Sequence, residues 1–261
     1  MNLKYFIFQK IPPRLFVFLR GQGWRGNFKS WTEALRLTTG YDAANILEKS
    51  KKHIFDYIEK QDVINPHVQY PWELLSALMW IAAQNKGRLN VIDFGGALGG
   101  MYYQSKVFFD QLETIQWNVV EQSHFVELGK KEFETNVLKF YFSVDECLSQ
   151  NISLPDFILF GSVLQYMEKP YELLEYLLPK KIKYIIVTRT GFIKNSPDRI
   201  TIQKVPKNYY DASYPCWIFN EPKFMDIFVQ HGYELVYDFK DKYQLNIPSE
   251  YKGCLFKLKE K

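Results

Sequence analysis

Residues 89–100 read LNVIDFGGALGG, and this stretch decides the fold. Its apolar start predicts a buried strand, and Asp93 stands where that strand ends. The four glycines after Phe94 predict a tight turn, because glycine adopts backbone conformations that other residues avoid, and a helix is expected to begin at Met101. Ligands of parallel sheets bind outside the carboxyl ends of the strands. The stretch therefore predicts a strand, a glycine loop and a helix, with a ligand site above the loop.

The chain from residue 86 to residue 261 repeats this alternation of strand and helix. The predicted strands are Asn90–Phe94, Gln116–Glu121, Leu138–Phe142, Phe157–Phe160, Tyr184–Thr188, Tyr233–Phe239 and Gly253–Leu258. The predicted helices are Met101–Leu112, His124–Phe133, Val144–Gln150, Pro170–Leu178 and Glu221–His231. Strands that alternate with helices form parallel sheets with crossover helices. The sequence thus predicts an α/β fold with a seven-stranded, mainly parallel sheet and flanking helices.

Residues 1–85 show no strand-like alternation of apolar and polar residues. They are predicted to form a helical N-terminal extension, or cap, on a domain of residues 86–261. Ser30 is placed to cap a short helix that stops before a glycine. Two longer helices are predicted over Ala43–Gln61 and Pro71–Gln84, because apolar residues recur there at helical spacing and proline is favoured at a helix start.

The composition is that of a folded protein without a strong charge bias. Hydrophobic residues make up 47% of the 261 residues, and 33 basic against 29 acidic residues give a net charge of +4. The basic excess is small and scattered, so a nucleic-acid partner is not indicated. The three cysteines form no Cys-x-x-Cys pair and the four histidines show no ligand spacing. We therefore expect a reducing compartment and no metal site.

The N-terminal arm, Leu3–Leu19, is apolar enough to raise the question of a membrane. It contains three basic residues and two prolines, whereas a spanning helix needs about 20 mostly apolar residues. No small-residue cleavage site follows it, which argues against a signal peptide. We expect a cytoplasmic protein without a transmembrane segment, whose arm packs on its own domain or rests on the inner face of the membrane. The sequence indicates no oligomeric state.

The glycine loop is compatible with more than one kind of site. An ordinary glycine-rich turn is one alternative. A dinucleotide site is another, because such loops are followed about 20 residues later by an acid that binds ribose, and Glu121 follows Gly100 by 21 residues. However, Ala97 makes the glycine spacing imperfect for a dinucleotide, and Asp93 would place a carboxylate beside a pyrophosphate. The same carboxylate suits a ligand that carries an ammonium and a sulfonium.

The loop resembles the first motif of class I S-adenosylmethionine-dependent methyltransferases, Asp/Glu-x-Gly-x-Gly-x-Gly. The motif maps onto Asp93, Gly95, Ala97 and Gly99, with alanine in place of the middle glycine. The resemblance implies a Rossmann-like fold, S-adenosylmethionine as cofactor and S-adenosylhomocysteine as product, with Asp93 near the methionine part and Glu121 on the ribose hydroxyls. The cofactor-binding residues that it implies are Asp93, Gly95, Gly96, Ala97, Gly99, Tyr103, Glu121, Gln122, Ser143, Gly161 and Ser162.

Residues 155–166 resemble the fourth strand and the following turn of small-molecule methyltransferases. Gln165 stands where that family commonly has a histidine, so a histidine base is not implied. The candidate catalytic residues are Gln165, Tyr166 and Arg189. Arg189, after the predicted fifth strand, could clamp a carboxylate or phosphate of the acceptor or form a structural ion pair. The candidates for substrate binding, in a predicted aromatic loop that could equally be a packed anchor, are Asp211, Tyr214 and Trp217.

A closer resemblance covers about residues 20–260. The residues that carry it are Gly23-Trp24-x-Gly26, Ser30-Trp31, Gly40-Tyr41-Asp42, the glycine loop, Thr188-Arg189-Thr190 and Tyr214-Pro215-x-Trp217. They are similar to methyltransferases encoded among bacterial surface-polysaccharide genes, which implies a small-molecule or saccharide-linked acceptor. In this setting Trp24, Trp31 and Tyr41 are candidates for closing over the cofactor. Two other classes stay open: a binding or scaffold protein without turnover, suggested by Ala97 and Gln165, and a dinucleotide-dependent oxidoreductase.

Overall fold

The computed structural model describes residues 23–40, 44–58, 70–151, 153–206, 212–241 and 245–260. Within these ranges the strands are β1 (Gly23–Phe28), β2 (Arg88–Phe94), β3 (Thr114–Val120), β4 (Leu138–Tyr141), β5 (Phe157–Gly161), β6 (Tyr184–Ile193), β7 (Arg199–Lys204), β8 (Ser213–Asn220), β9 (Tyr233–Lys240) and β10 (Glu250–Leu258). The α-helices are α1 (Trp31–Leu35), α2 (Ala44–Ile58), α3 (Trp72–Gln84), α4 (Gly100–Phe109), α5 (Ser123–Glu132), α6 (Val144–Gln150), α7 (Pro170–Leu177) and α8 (Glu221–Gln230). Short 3₁₀ turns follow β5 at Leu164–Tyr166 and α7 at Leu178–Lys180.

Seven of the described strands form the main sheet, in the order β4-β3-β2-β5-β6-β10-β9. β2 pairs in parallel with β3 and β5, β3 with β4, and β5 with β6. β10 runs antiparallel between β6 and β9, so β9 is parallel to β6. The predicted seven-stranded, mainly parallel sheet is confirmed, and each strand predicted for residues 86–261 is present. The fold is Rossmann-like.

Helices cover both faces of the main sheet, as the apolar sequence of its central strands requires. Most residues of β2 and β5 are buried, which is typical of strands with both faces covered. One apolar cluster joins the sheet to α2, α3, α4 and α5, with Leu78 and Trp117 fully buried in it. The other joins the sheet to α6, α7 and α8, where the rings of Phe228 and Phe256 stack with centroids 3.9 Å apart. These two layers hold β2 and β5 in place beneath the glycine loop.

A smaller antiparallel sheet of β1, β7 and β8 adjoins the main sheet. β7 pairs with both β1 and β8, and the end of β8 pairs with the end of β6. The sequence predicts helix or irregular chain over residues 1–85, and this is wrong for residues 23–28, which form β1. The strand was missed because its pairing is remote: Phe28 lies opposite Ile200, 172 residues along the chain. A pattern of neighbouring residues in the sequence cannot predict a strand partner that lies so far along the chain.

Most helices begin and end close to their predicted positions. α6 spans the predicted residues Val144–Gln150. The Ser30 cap is confirmed, because its Oγ accepts a hydrogen bond from the backbone N–H of Glu33 at 3.2 Å. A serine at this position satisfies one of the amides that a helix start leaves without a partner. α1 nevertheless ends at Leu35, earlier than the glycine that was predicted to stop it.

Two expectations about the N-terminal part of the chain stay predictions. Residues 1–22, which contain the apolar arm, and Tyr41 lie outside the described residues. The division of the chain into an extension and a domain near residue 85 likewise stays a prediction. Of the helices in the described ranges, none combines the length and the apolar character that crossing a membrane requires.

Candidate functional site

A cavity of about 920 Å³ opens at the carboxyl edge of the main sheet. The ends of β2, β3 and β5 and the glycine loop form its floor, and the other walls come from β1, α2, β6, β7, β8 and β10. This volume is within the range of about 300–1,000 Å³ of small-molecule and cofactor sites. Because ligands of parallel sheets bind at this edge, the cavity is the candidate functional site.

The glycine loop lines the cavity, and two of its positions have no room for a side chain against neighbouring residues. At Gly95 φ is +70°, and a Cβ there would lie 2.4 Å from Val163 Cγ2. A Cβ at Gly96 would lie 2.5 Å from Asp93 Cγ. Ala97 takes the place of the motif's middle glycine with a φ of +50°, which is uncommon for a residue with a side chain. The backbone of the loop can therefore approach a ligand closely.

Asp93 lies at the end of β2, beneath the glycine loop, and is 1% exposed. Trp117 Nε1 donates a hydrogen bond to Asp93 Oδ2 at 2.9 Å. Burial raises the pKa of the Asp93 carboxyl to about 7. The Trp117 hydrogen bond and the positive charge of Arg189 act to lower this pKa, whereas the negative charge of Glu121 raises it further. A buried acid with a pKa near neutrality is a marker of functional sites. Asp93 can release its proton when a cation enters the cavity.

Glu121 follows β3, the strand beside β2. Its Oε2 accepts from the backbone N–H of Gln122 at 2.6 Å, and its Oε1 accepts from the backbone N–H of Ala97 at 3.3 Å. Burial raises the pKa of the Glu121 carboxyl, and these two amide hydrogen bonds lower it. A carboxylate has about four lone-pair sites. Glu121 is therefore fixed beside the glycine loop with acceptor capacity left for a ligand.

The cavity brings together most of the candidate residues that the sequence indicated. Those that line it are Asp93, Gly95, Gly96, Ala97, Glu121, Gln122, Ser143, Gly161, Ser162, Tyr166, Arg189 and Tyr214. Of the other described candidates, Gly99, Tyr103, Gln165 and Trp217 do not line it, and Asp211 lies outside the described residues. Candidates that follow four different strands converge because parallel strands end at one edge of the sheet.

The described candidates that do not line the cavity make contacts that stabilise the fold instead. Gly99 caps the start of α4 with a φ of +83°. Tyr103 is a buried residue of α4, and its hydroxyl donates to the backbone oxygen of Phe133 at 3.5 Å. Trp217 stacks on Trp31, with ring centroids 6.2 Å apart. The aromatic loop predicted around Trp217 is wrong, because this segment is β8 and pairs with β6 and β7.

Tyr166 lies in the 3₁₀ turn after β5 and lines the cavity. Its hydroxyl donates to Gln203 Oε1 at 2.7 Å, and its ring meets that of Tyr214 edge to face, with centroids 5.0 Å apart. Burial raises the pKa of the Tyr166 phenol well above its ordinary value. The phenol therefore stays protonated and acts as a hydrogen-bond donor, which does not suit it to the role of a general base.

Gln165 is 1% exposed and lies behind the cavity wall. Its Nε2 donates to Ser162 Oγ at 3.0 Å and to the backbone oxygen of Arg189 at 2.9 Å. Thr190 Oγ1 donates to Gln165 Oε1 at 3.3 Å. The side chain thus ties the turn after β5 to β6. These are the contacts of a positioning residue, since both Ser162 and Arg189 line the cavity.

Replacing Gln165 with leucine is expected to lower the free energy of unfolding by about 1–3 kcal/mol, because the Arg189 carbonyl loses a part-buried hydrogen-bond donor. The Thr190 hydroxyl keeps the Thr188 carbonyl as an acceptor at 3.2 Å. Urea unfolding measures the change. Gln111→Leu, at an exposed position after α4, is the control and is expected to leave stability nearly unchanged. Equal stabilities of the two variants would contradict the positioning role.

Sequence reasoning missed a large part of the cavity wall. The missed residues include Ser50, His53, Ile54 and Tyr57 of α2, Gln203 of β7, Asp241 after β9 and Tyr251 of β10. They belong to no motif and reach the cavity through tertiary packing. Trp24, expected near the cofactor, does line the cavity, and its Nε1 donates to Cys216 Sγ at 3.3 Å.

The charge of the cavity is uneven. Among the described lining residues the carboxyl groups are Asp93, Glu121 and Asp241, whereas Arg189 supplies the one guanidinium and no lysine is present. No group of three His, Cys, Asp or Glu side chains within the described ranges is arranged to hold a metal ion. The excess of acids favours a ligand that carries positive charge.

Many solved structures are similar to this chain in fold, among them the following three. The magnesium protoporphyrin IX methyltransferase of Synechocystis PCC 6803 with bound SAM aligns with a TM-score of 0.46 and 12% identity, over 84% of this chain and 100% of that one. An S-adenosylmethionine-dependent methyltransferase of Clostridium acetobutylicum ATCC 824 aligns with a TM-score of 0.48 and 10% identity, over 81% of this chain and 98% of that one. LepI in complex with SAM aligns with a TM-score of 0.48 and 10% identity, over 79% of this chain and 55% of that one. No protein-family model and no curated protein matches the chain.

Proposed function

We propose that this chain binds S-adenosylmethionine and transfers its methyl group to a small-molecule acceptor. The observation that carries the proposal is the position of Asp93 and Glu121 at the ends of neighbouring parallel strands, beside one glycine loop and in one cavity. S-adenosylmethionine carries an ammonium and a sulfonium at one end and a ribose diol in its middle. The two carboxylates, held apart by the loop, match these two features.

The residues present fit this cofactor in charge and in shape. Asp93 has a pKa of about 7 in the ligand-free protein, so a cation beside it favours the ionised form. The protein partners of Glu121 are two backbone amides, which leaves it able to accept from a diol. Gly95 and Gly96 keep the floor free of side chains. Ser143, which also lines the cavity, lies after β4, where the sequence resemblance implies the adenine.

When bound, this cofactor supplies a methyl group on a positively charged sulfur. Transfer of this methyl group to an acceptor would leave the electron pair of the carbon–sulfur bond on sulfur, and the proton that the acceptor loses would pass to water, because Tyr166 is not suited to take it. The protein has to align the acceptor and exclude water; alignment alone contributes up to about 7–11 kcal/mol in favourable cases. Tyr57, Tyr166, Tyr214 and Tyr251 line the cavity and provide aromatic walls for both tasks.

The acceptor is proposed to be a small or saccharide-linked molecule, methylated in the cytoplasm or at the inner face of the membrane. The support is the sequence resemblance to methyltransferases of bacterial surface-polysaccharide gene clusters. The aromatic lining is compatible with this class, because tyrosine rings offer an apolar face together with a polar hydroxyl. The small and scattered net charge of +4 does not favour a nucleic-acid acceptor.

Two features disfavour the alternative of a dinucleotide-dependent oxidoreductase. Dinucleotide-binding sheets have the strand order 3-2-1-4-5-6 with parallel strands, whereas β10 enters antiparallel between β6 and β9 in this protein. Asp93, buried in the cavity floor, would also lie beside the pyrophosphate. A titration with NADH is therefore expected to show no binding.

Calorimetric titration with S-adenosylhomocysteine tests the proposal. We expect the purified protein to bind it and Glu121→Ala to weaken binding about 10- to 100-fold, because hydrogen bonds from the ribose to a charged group are lost. Glu127→Ala removes a carboxylate from an exposed position of α5, outside the cavity, and is expected to leave the affinity unchanged. Absence of binding to the purified wild-type protein would overturn the proposal.

Transfer is tested separately from binding, because a scaffold protein without turnover would also bind the cofactor. S-adenosylmethionine labelled in its methyl group is incubated with the protein and fractionated small molecules and glycans of a bacterial extract. Label that moves into an acceptor with the wild-type protein, but not with Asp93→Ala, rules out the scaffold alternative. Tight binding of S-adenosylhomocysteine without any labelled product would favour it.

A further inference from the structure

Arg189 is an exposed side chain in a strand that is otherwise buried or half-buried. In the burial pattern of β6, Arg189 is the one exposed position among the ten residues of the strand. Its φ is +49°, a conformation that costs a residue with a side chain about 1–3 kcal/mol. Backbone strain of this kind persists where the surroundings impose it, and it clusters at active sites and ligand clamps.

A bulge in β6 produces this exposure. Cys254 of β10 pairs with Val187 and Lys252 pairs with Thr190, so that Gly253 faces two residues of β6. Bulges are frequent beside active sites, where they redirect a side chain. A Cβ at Gly253 would lie 2.8 Å from the Val187 carbonyl oxygen, so glycine allows β10 to close against the bulge. The pairing of β10 therefore directs Arg189 out of the sheet and into the cavity.

The Arg189 guanidinium has no protein partner among the described residues. Neither a hydrogen bond nor a carboxylate at ion-pair distance satisfies it there. Burial raises the pKa of Tyr57, Tyr251 and Asp93, and the Arg189 charge lowers each of them. The guanidinium thus lies near two tyrosines and the acid of the cavity floor, with its five N–H donors available to a ligand.

We propose that the acceptor carries an acidic group, a carboxylate or a phosphate, and that Arg189 binds this group in the cavity. The inference rests on the proposed function, because it assigns this part of the cavity to the acceptor. The planar guanidinium matches carboxylate and phosphate oxygens in a two-point geometry. Gln165, which donates to the Arg189 backbone oxygen at 2.9 Å, holds the bulge in place. Tyr57, a further lining residue, offers a neutral hydroxyl donor beside the charge.

The anion site is tested with benzoate and phenyl phosphate, against neutral benzyl alcohol, by calorimetry on the protein saturated with S-adenosylhomocysteine. We expect one or both anions to bind at least about tenfold more tightly than benzyl alcohol. Arg189→Gln is expected to remove this preference and Arg189→Lys to retain part of it. The two anions distinguish a carboxylate from a phosphate acceptor.

Arg88→Gln is the matched control, because Arg88 is an exposed arginine at the start of β2, at the opposite edge of the sheet. It removes the same charge and is expected to leave the preference for anions intact. Two results would overturn the proposal: no binding of either anion to the wild-type protein, or equal anion binding by the wild-type protein and Arg189→Gln.

A second titration separates the acceptor from the carboxylate of the cofactor itself. 5′-Methylthioadenosine lacks the amino-acid part of S-adenosylhomocysteine and therefore lacks that carboxylate. At a pH well above the Asp93 pKa of about 7, where that carboxyl is ionised in both proteins, we expect Arg189→Gln to bind both nucleosides as the wild-type protein does. Weaker binding of S-adenosylhomocysteine alone would assign Arg189 to the cofactor and overturn the acceptor proposal. If the wild-type protein binds neither nucleoside, the proposed function fails, and the anion titration on the ligand-free protein still decides the Arg189 site.

Discussion

Asp93→Asn is expected to raise the free energy of unfolding of the ligand-free protein by roughly 2–4 kcal/mol at about pH 8. Burial raises the pKa of the Asp93 carboxyl from 3.8 to about 7. Because the folded pKa lies above the unfolded one, the folded protein holds a proton that the unfolded chain releases between about pH 4 and pH 7. Stability from this group is therefore lost as the pH rises through that window. Asparagine stays neutral over the whole pH range, so the stability of the variant does not fall as the pH rises through this window.

Urea unfolding of both proteins at about pH 4 and about pH 8 checks the sign of this effect. Their stabilities are expected to be nearly equal at the lower pH, where the carboxyl is mostly protonated in the folded protein, and to differ most at the higher pH. Asp110→Asn, at an exposed position after α4, is the control and should show no such divergence. A stability difference that is the same at both pH values would contradict the buried ionisation.

The same variant is expected to bind S-adenosylhomocysteine about 100-fold more weakly at about pH 8, because the ligand's ammonium loses a desolvated carboxylate. The wild-type affinity should also weaken as the pH falls below about 7, since the proton that Asp93 takes up competes with the cation. The affinity of Asp93→Asn should not change over this range. If the affinity of both proteins for S-adenosylhomocysteine changed with pH in the same way, Asp93 would not be the group that binds the cation. A gain in stability with a loss of binding is the trade-off expected of a functional buried charge.

Gly96→Ala is expected to abolish measurable cofactor binding, a loss of more than about 100-fold, and to destabilise the protein by about 1–3 kcal/mol. The added Cβ would lie 2.5 Å from both Cγ and Oδ2 of Asp93. Asp93 is held by the hydrogen bond from Trp117, so the clash displaces either the carboxylate or the loop. Calorimetry with S-adenosylhomocysteine and urea unfolding measure the two effects.

Gly100→Ala is the matched control for this substitution. Gly100 begins α4, and the nearest atom to an added Cβ is Ile54 Cδ1 at 3.8 Å, an ordinary contact. We expect this variant to keep both affinity and stability. A double variant, Asp93→Ala with Gly96→Ala, should recover stability but not binding, because it removes the clash together with the carboxylate. Equal affinities of Gly96→Ala and Gly100→Ala would contradict the close approach of loop and acid.

Parts of the candidate site follow from the sequence because they depend on neighbours in the chain. Residues 89–100 predict a buried strand, a turn and a helix from apolar runs and glycines, and the structure has β2, the loop and α4 there. Ser30 caps α1 as predicted, since the capping hydrogen bond spans three residues. Glu121 lines the cavity with Asp93 because both follow strands of a parallel sheet, whose ends meet at one edge.

The sequence by itself therefore determined the main sheet, its glycine loop and the two acids beside it. Tertiary structure decided the rest of the site. Arg189 enters the cavity because β10 pairs with β6 around a bulge, and Gln165 supports it because the turn after β5 packs on that bulge. α2 and the sheet of β1, β7 and β8 supply walls through contacts between distant parts of the chain. A local pattern records strand and helix period, whereas the partner of an edge strand and the direction of a bulged side chain depend on residues far away in the sequence.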